Sequence, residues 1–195
     1  MPSIRENYLH VLERIDMAAR RVGRKPQEVQ LVAVSKTVDA DRVREAVEAG
    51  VKILGENYVQ EAQKKIEALG RPVRWHLIGH LQSNKAKIAV QLFDLIHSLD
   101  RLSLAEALNQ KASSIHRVLK VFIEVNLSGE ATKFGTDEGR FFTLARRVSE
   151  MDHLSLEGLM TMPPYSDTPE DSRPYFRELR KWKERMNQEG IPLKE

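Results

Sequence analysis

The chain has 195 residues, 31 of them Lys or Arg and 28 Asp or Glu, which leaves a formal net charge of +3. An apolar share of 41% can supply a sizeable core, so disorder and a small stapled scaffold are excluded. No window approaches the roughly 18 uninterrupted apolar residues of a membrane span, and with no cysteine there is no disulfide framework, thiolate metal site or thiol nucleophile.

Ser3 and Glu6 match a capping box, and Ile4, Tyr8, Val11, Leu12, Ile15, Ala18, Ala19 and Val22 follow at helical spacing up to Gly23. Val29 to Val34 is a β-branched run that reads as a first strand buried on both faces, ending in Ser35-Lys36-Thr37. Asp39 and Asp41 can cap a helix carrying Val43, Ala46 and Val47, with Gly50 as its stop, and Val51 to Leu54 reads as strand two. Glu56-Asn57 ends that strand. A helix through Ala62 and Ile66 to Gly70 leads to a third strand around Val73 to Gly79, and Ser83-Asn84 starts a helix through Ile88 and Leu92. Strand four is Leu95 to Leu99. Asp100 is expected to cap a helix with Leu104, Ala107 and Leu108, Val118 to Val125 is strand five, and a loop around Leu127 to Gly135 follows. The chain continues with a helix bearing Phe141, Phe142, Ala145 and Val148, a sixth strand at Leu156 to Met160, and a last helix from about Pro174 to Gln188.

Six strand-helix cycles imply an α/β fold with a parallel sheet and helical crossovers. A doubly wound dinucleotide domain would carry glycines in its first strand-to-helix turn, whereas Ser35-Lys36-Thr37-Val38-Asp39 has none, so a TIM (β/α)8-type barrel is favoured. Such a barrel has eight strands, and Pro192-Leu193-Lys194-Glu195 stands where a seventh would begin; the expectation is a barrel without its last two strands. With no linker or residue-level repeat, residues 1–195 read as a single domain.

Side chains alternate along a strand, so Lys36 shares a direction with Val32 and Val34, opposite to Ser35. If those valines fill the barrel, Lys36 points inward at the end where barrel active sites lie, and its amine could form a Schiff base. A solvated lysine at a strand end satisfies the same position equally well.

The runs Leu31-Val32-Ala33-Val34-Ser35-Lys36-Thr37, Gly55-Glu56-Asn57-Tyr58-Val59-Gln60-Glu61 and Trp75-His76-Leu77-Ile78-Gly79-His80-Leu81-Gln82-Ser83-Asn84-Lys85 together resemble the pyridoxal phosphate homeostasis protein family. Ile96-His97-Ser98-Leu99-Asp100, Glu124-Val125-Asn126, Lys133-Phe134-Gly135 and Leu156-Glu157-Gly158-Leu159-Met160-Thr161-Met162 extend the resemblance over essentially the whole chain. It implies a single-domain barrel related to the N-terminal domain of bacterial alanine racemase, with pyridoxal 5′-phosphate held as an aldimine on Lys36. It also implies a non-catalytic carrier or regulator of that cofactor, handing it to apoenzymes that depend on it. The family's phosphate-binding run near the C-terminus, with the arginine that faces the pyridine nitrogen, has no counterpart in these 195 residues.

Three further residues at strand ends are candidate cofactor contacts. Asn57 either reaches the ring or caps the next helix, His80 either lies near the ring or is a hydrogen-bonded packing residue, and Met160 either packs on the ring or fills the barrel end. His76 and His80, four apart on a strand, would stand about 13 Å apart, so no metal site is expected. Lys85, Lys87 and Lys133 suit an anion or plain solvation. The last helix alternates Arg177, Arg180, Lys181, Lys183 and Arg185 with Glu178 and Glu184, which suits helical ion pairs rather than a nucleic-acid stripe.

Neither nucleic acid nor membrane is expected as a partner. The opening residues lack a secretory leader, so a cytoplasmic protein is expected; it is also expected to be a monomer. The alternative is a racemase-like enzyme on the same barrel. Racemisation requires a second acid or base opposite the lysine, which the racemase takes from a tyrosine of an additional domain, and 195 residues leave no room for one. An interaction module that has lost the cofactor is a third reading.

Overall fold

The structure, a computed structural model, describes residues 2–130, 133–191 and 193. The expected start of a seventh strand therefore lies outside the described residues, apart from Leu193. The chain divides into two compact units, Met1–His76 and Leu77–Glu195. Among the described residues no helix is long and apolar enough to cross a membrane.

In the first unit helix α1 (Ile4–Arg21) starts at the Ser3–Glu6 capping box, as the sequence predicts. The Tyr8 hydroxyl donates to the Gly50 carbonyl at 3.0 Å, fastening α1 to the end of α2 (Ala40–Glu48), whose N-cap is Asp39. Strand β1 is only Ala33–Val34 and pairs in parallel with β2 (Ile53–Glu56), in the register Ala33 to Leu54 and Val34 to Gly55. The expected strand from Val29 is thus cut to two residues. A single 3-10 turn occupies Pro26–Glu28, and apolar character without an adjacent backbone to bond does not make a strand. Nor is β1 buried on both faces, since Val34 is 51% exposed. Strand β2 starts two residues later than expected because the Val51 amide closes the end of α2 on the Ala46 carbonyl. Helix α3 (Val59–Leu69) and β3 (Arg74–Leu77) follow. Val43, Ile53, Leu54, Ala62 and Trp75 are the buried centre of this unit.

In the second unit β4 (Leu95–Leu99), β5 (Leu119–Glu124) and β6 (Leu154–Met160) pair in parallel in chain order. They alternate with α4 (Ala86–Leu92), α5 (Leu102–Ser113), α6 (Glu138–Ser149) and α7 (Arg173–Gln188). Asp100 does not cap α5. The N-cap is Arg101, without a side-chain cap, because the Asp100 carboxylate is taken by the Arg101 guanidinium at 2.6 Å. The charges of α7 pair along the helix as expected, Arg180 with Glu184 and Lys181 with Glu178, both at 2.9 Å. Its apolar face lays Trp182 on Phe141 with ring centres 4.8 Å apart.

A short return after β5 matters for the site. Thr136 bonds back to Glu124 and Asn126 through its amide and carbonyl, at 2.8 and 3.0 Å, so the chain doubles onto the end of the strand. That closeness requires glycine beside it: Gly135 has φ of +111°, and a Cβ there would stand 2.7 Å from the Asn126 nitrogen. Gly135→Ala is expected to destabilise the protein by about 2 kcal/mol, read as a lower urea midpoint; an unchanged midpoint would show that this backbone gives way without cost.

Candidate functional site

Lys36 stands just past β1, on a turn that closes with the Val38 amide donating to the Ser35 carbonyl at 3.1 Å. Thr37, the third residue of the turn, has φ of +61°. Turns of this kind usually place glycine or asparagine there, and a β-branched residue in the left-handed region is strained by about 1–3 kcal/mol. Two hydrogen bonds accompany the strain: the Thr37 amide donates to Glu61 Oε1 and its hydroxyl to the Lys36 carbonyl, both at 2.6 Å. The Lys36 side chain itself is exposed, and among the described residues no carboxylate pairs with its ammonium.

Behind the turn lies a buried ionic centre. Lys65 of α3 has a side chain only 6% exposed, and its Nζ donates to Glu56 Oε1 at 2.6 Å, Glu61 Oε1 at 2.7 Å and the Ser35 carbonyl at 2.5 Å. Glu56 is fully buried at the end of β2 and also accepts from the Ser35 hydroxyl at 2.7 Å, while its Oε2 has no partner. Burial pushes the Glu61 carboxyl up, but the Lys65 and Thr37 hydrogen bonds and the Lys65 charge together hold it below its ordinary value. Ser35 and Thr37 are therefore fixed on either side of a lysine whose amine, among the described residues, has no carboxylate partner.

The second unit carries its own polar group at the strand ends. The segment after β3 is held by Ser98, whose hydroxyl donates to the Gly79 carbonyl at 2.6 Å, and by Arg101, which donates to the Leu81 carbonyl at 2.9 Å. His80 stacks on Phe134, with ring centres 4.0 Å apart and planes 17° from parallel. Its Nδ1 faces Asp100 Oδ2 at 3.6 Å, beyond hydrogen-bond reach, and this buried nitrogen has no hydrogen-bond partner among the described residues. Glu124, at the end of β5, is 6% exposed. Burial, with the Asp100 charge added, pushes its carboxyl up to about 7.

Val34, Ser35 and Lys36 alternate as expected but with the opposite burial: Ser35 is buried, whereas Val34, expected to fill the barrel, is exposed together with Lys36. Asn57 is half-buried and does not cap α3, whose N-cap is Tyr58 without a side-chain cap. His80 lies in a loop and not on a strand, because β3 ends at Leu77; the shared-strand spacing of His76 and His80 does not exist. Among the described residues no group of three or more His, Asp or Glu side chains gathers as metal ligands would. Met160 ends β6 as expected, and its carbonyl accepts from the Val125 amide at 2.8 Å. Lys133 pairs with Glu130 at 2.8 Å and so is not a free anion contact, whereas Lys87 is exposed. Sequence reasoning missed Lys65, Glu61 and the role of Glu56. The one available signal was the i,i+4 spacing of Glu61 and Lys65, which ordinarily marks a solvated helix pair.

Residues 10–195 match the family described as Alanine racemase, N-terminal domain, which makes this the parallel α/β barrel type of fold. A pyridoxal phosphate homeostasis protein of Aquifex aeolicus is 43% identical over 185 residues, covering 94% of this chain and 81% of that protein. A solved structure from Bifidobacterium adolescentis superposes with a TM-score of 0.89 at 33% identity, over 97% of this chain and 81% of that one. PipY of Synechococcus elongatus, solved with PLP bound, gives 0.78 at 36% identity, over 92% and 82% of the two chains. The chain belongs to the pyridoxal phosphate homeostasis protein family.

Glu124 makes stability depend on pH in a direction that can be measured. Its folded value of about 7 lies above the ordinary 4.5, so between these the folded chain keeps a proton that the unfolded chain has lost, and stability falls as pH rises through that window. Glu124→Gln is expected to flatten this fall and to be the more stable protein at pH 8, by on the order of 3 kcal/mol at most. Urea midpoints from pH 4 to 8 test it, and parallel curves for the two proteins would exclude a raised Glu124.

Proposed function

We propose that the chain binds pyridoxal 5′-phosphate through the amine of Lys36 and acts in the homeostasis of that cofactor as a carrier, not as an enzyme. The observation that carries this reading is the Lys36 turn. An amine meant to take up an aldehyde must be reachable and free of a carboxylate partner, and Lys36 is both, among the described residues. When bound, the cofactor supplies the electrophilic carbon. Lys36 holds it covalently, the fixed turn limits where that amine can swing, and its exposure leaves room for another amine to displace it. The PLP-bound relative and the homologues named for pyridoxal phosphate homeostasis support the choice of cofactor.

On the same reading the recipients are apoenzymes that use the cofactor, the protein works as a monomer in the cytoplasm, and residues 1–195 act as one cofactor-binding domain. The unbroken family match over residues 10–195 supports the last of these. Asn57, His80 and Met160 are proposed as further cofactor contacts from their places at or just past the ends of β2, β3 and β6; substitution of each should shift the absorbance maximum of the loaded protein.

The test is direct. Borohydride reduction of the loaded protein should leave a pyridoxyl mass on the peptide containing Lys36, and Lys36→Ala should remove the mass from that peptide. Label found only on other peptides of the parent protein would overturn the assignment. Fold stability should change little, because the substitution takes a solvated charge from a turn and nothing from the core.

The loaded protein is also expected to show no racemase or transaminase turnover with either enantiomer of alanine or serine. Racemisation needs an acid or base on the far side of the substrate carbon, and this reading assigns none; transamination needs the released lysine to carry a proton between two carbons in a site closed to water, whereas Lys36 is exposed. Turnover in the usual enzyme range of roughly 1 to 1,000 per second would replace the carrier reading with an enzymatic one.

A further inference from the structure

We infer that Glu61 and Lys65 are positioning residues for Lys36: they clamp the strained Thr37 and the Ser35 carbonyl, and so fix the direction in which the Lys36 amine leaves the turn. The inference rests on the reading of Lys36 as the attachment point. Its geometry is independent of any cofactor.

Glu61 Oε1 is the shared element. It accepts from the Thr37 amide at 2.6 Å and from Lys65 Nζ at 2.7 Å, so one carboxylate oxygen joins the turn to the buried lysine. Lys65 in turn grips the Ser35 carbonyl at 2.5 Å and Glu56 at 2.6 Å, which ties the clamp to the ends of β1 and β2. Without this clamp the Thr37 φ of +61° is supported only by the Val38–Ser35 bond that closes the turn and by its hydroxyl bond to the adjacent Lys36 carbonyl. A residue held in a sparsely populated backbone region next to a reactive amine indicates that the conformation is used, since strain of this size disfavours the turn by about one order of magnitude or more unless something holds it. The clamp acts only through the backbone on either side of Lys36. It touches neither the amine nor an incoming aldehyde.

Lys65 is a poor first target, because its removal strands the fully buried Glu56 carboxylate and endangers folding itself. Glu61 is partly exposed and leaves the Lys65–Glu56 pair in place, so Glu61→Ala is the first variant and Glu61→Gln, which keeps an acceptor, the second. Two readouts are taken on the full chain. Amide exchange at Thr37, without cofactor, reports the clamp; the rate at which added pyridoxal phosphate becomes borohydride-trappable on Lys36 reports the amine.

In Glu61→Ala the Thr37 amide should exchange at least 10-fold faster, and attachment at Lys36 should slow about 10-fold with unchanged final stoichiometry. Glu61→Gln should keep most of both. Adding Thr37→Gly to Glu61→Ala should restore most of the attachment rate, because glycine adopts the positive φ without a clamp; a loss caused merely by weakened packing would not be restored by a further deletion. Attachment at the parent rate in Glu61→Ala, with Thr37 protection gone, overturns the inference and leaves the proposed function standing. Failure of the parent protein to be labelled at Lys36, with Thr37 protected, overturns the proposed function and this inference with it.

Discussion

A lysine ammonium buried to 6% exposure is tolerated only where carboxylates and carbonyls replace its lost water, and the turn at Lys36 is built around meeting that demand for Lys65. Two glutamates and one backbone carbonyl converge on a single nitrogen, and each comes from a different element: the end of β2, the first turn of α3 and the end of β1. The ions cannot separate without leaving a fully buried carboxylate alone, so the three elements keep fixed relative positions. Rigidity at a strand end, where loops are ordinarily free, is the consequence. Lys36 inherits it without touching any of the charges.

The second unit reaches an ordered strand end by different means. Neutral and charge-assisted hydrogen bonds from Ser98 and Arg101 to backbone carbonyls hold the segment after β3, and the Gly135 return holds the end of β5. Of two carboxyl groups here, Asp100 lies near enough to Glu124 for its charge to act on it. Arg101 sits 2.6 Å from Asp100, whereas Glu124 is pushed up first by burial and then by the Asp100 charge. A carboxyl poised near neutrality is the result.

Much of the fold was legible in the sequence because its signals are local. The Ser3–Glu6 box, the Asp39 cap and the apolar periodicity of α1, α3, α6 and α7 each depend on residues within two turns of one another, and each element stands where they indicate. Strand limits were less legible, since a strand exists only where a neighbour offers bonds; Val29 to Val32 has the composition and lacks the pairing. Asp100 shows the same limit for caps, a good cap residue diverted by the arginine next to it. The strand phase of Lys36, opposite to Ser35, was legible; its role rests on the surrounding motif and is a proposal. The Glu56–Lys65–Glu61 centre was not, because three charged residues in a sequence read as surface, and only the fold shows them converging in the interior.

Holding a reactive aldehyde and using it for catalysis place different demands on the same amine. A catalyst needs groups disposed around the substrate's reacting bond, each with a proton affinity matched to its step, and it gains from excluding water and stray amines. A carrier needs the reverse: the aldehyde must be retained, yet an arriving amine must be able to reach the same carbon. The first unit divides the work in a way that suits the second demand. Its ionic groups are spent on the backbone of Ser35 and Thr37, one layer behind the surface, and none approaches the Lys36 ammonium among the described residues. A lysine held firmly at its root and left open at its tip can present its amine in one place without enclosing what it binds.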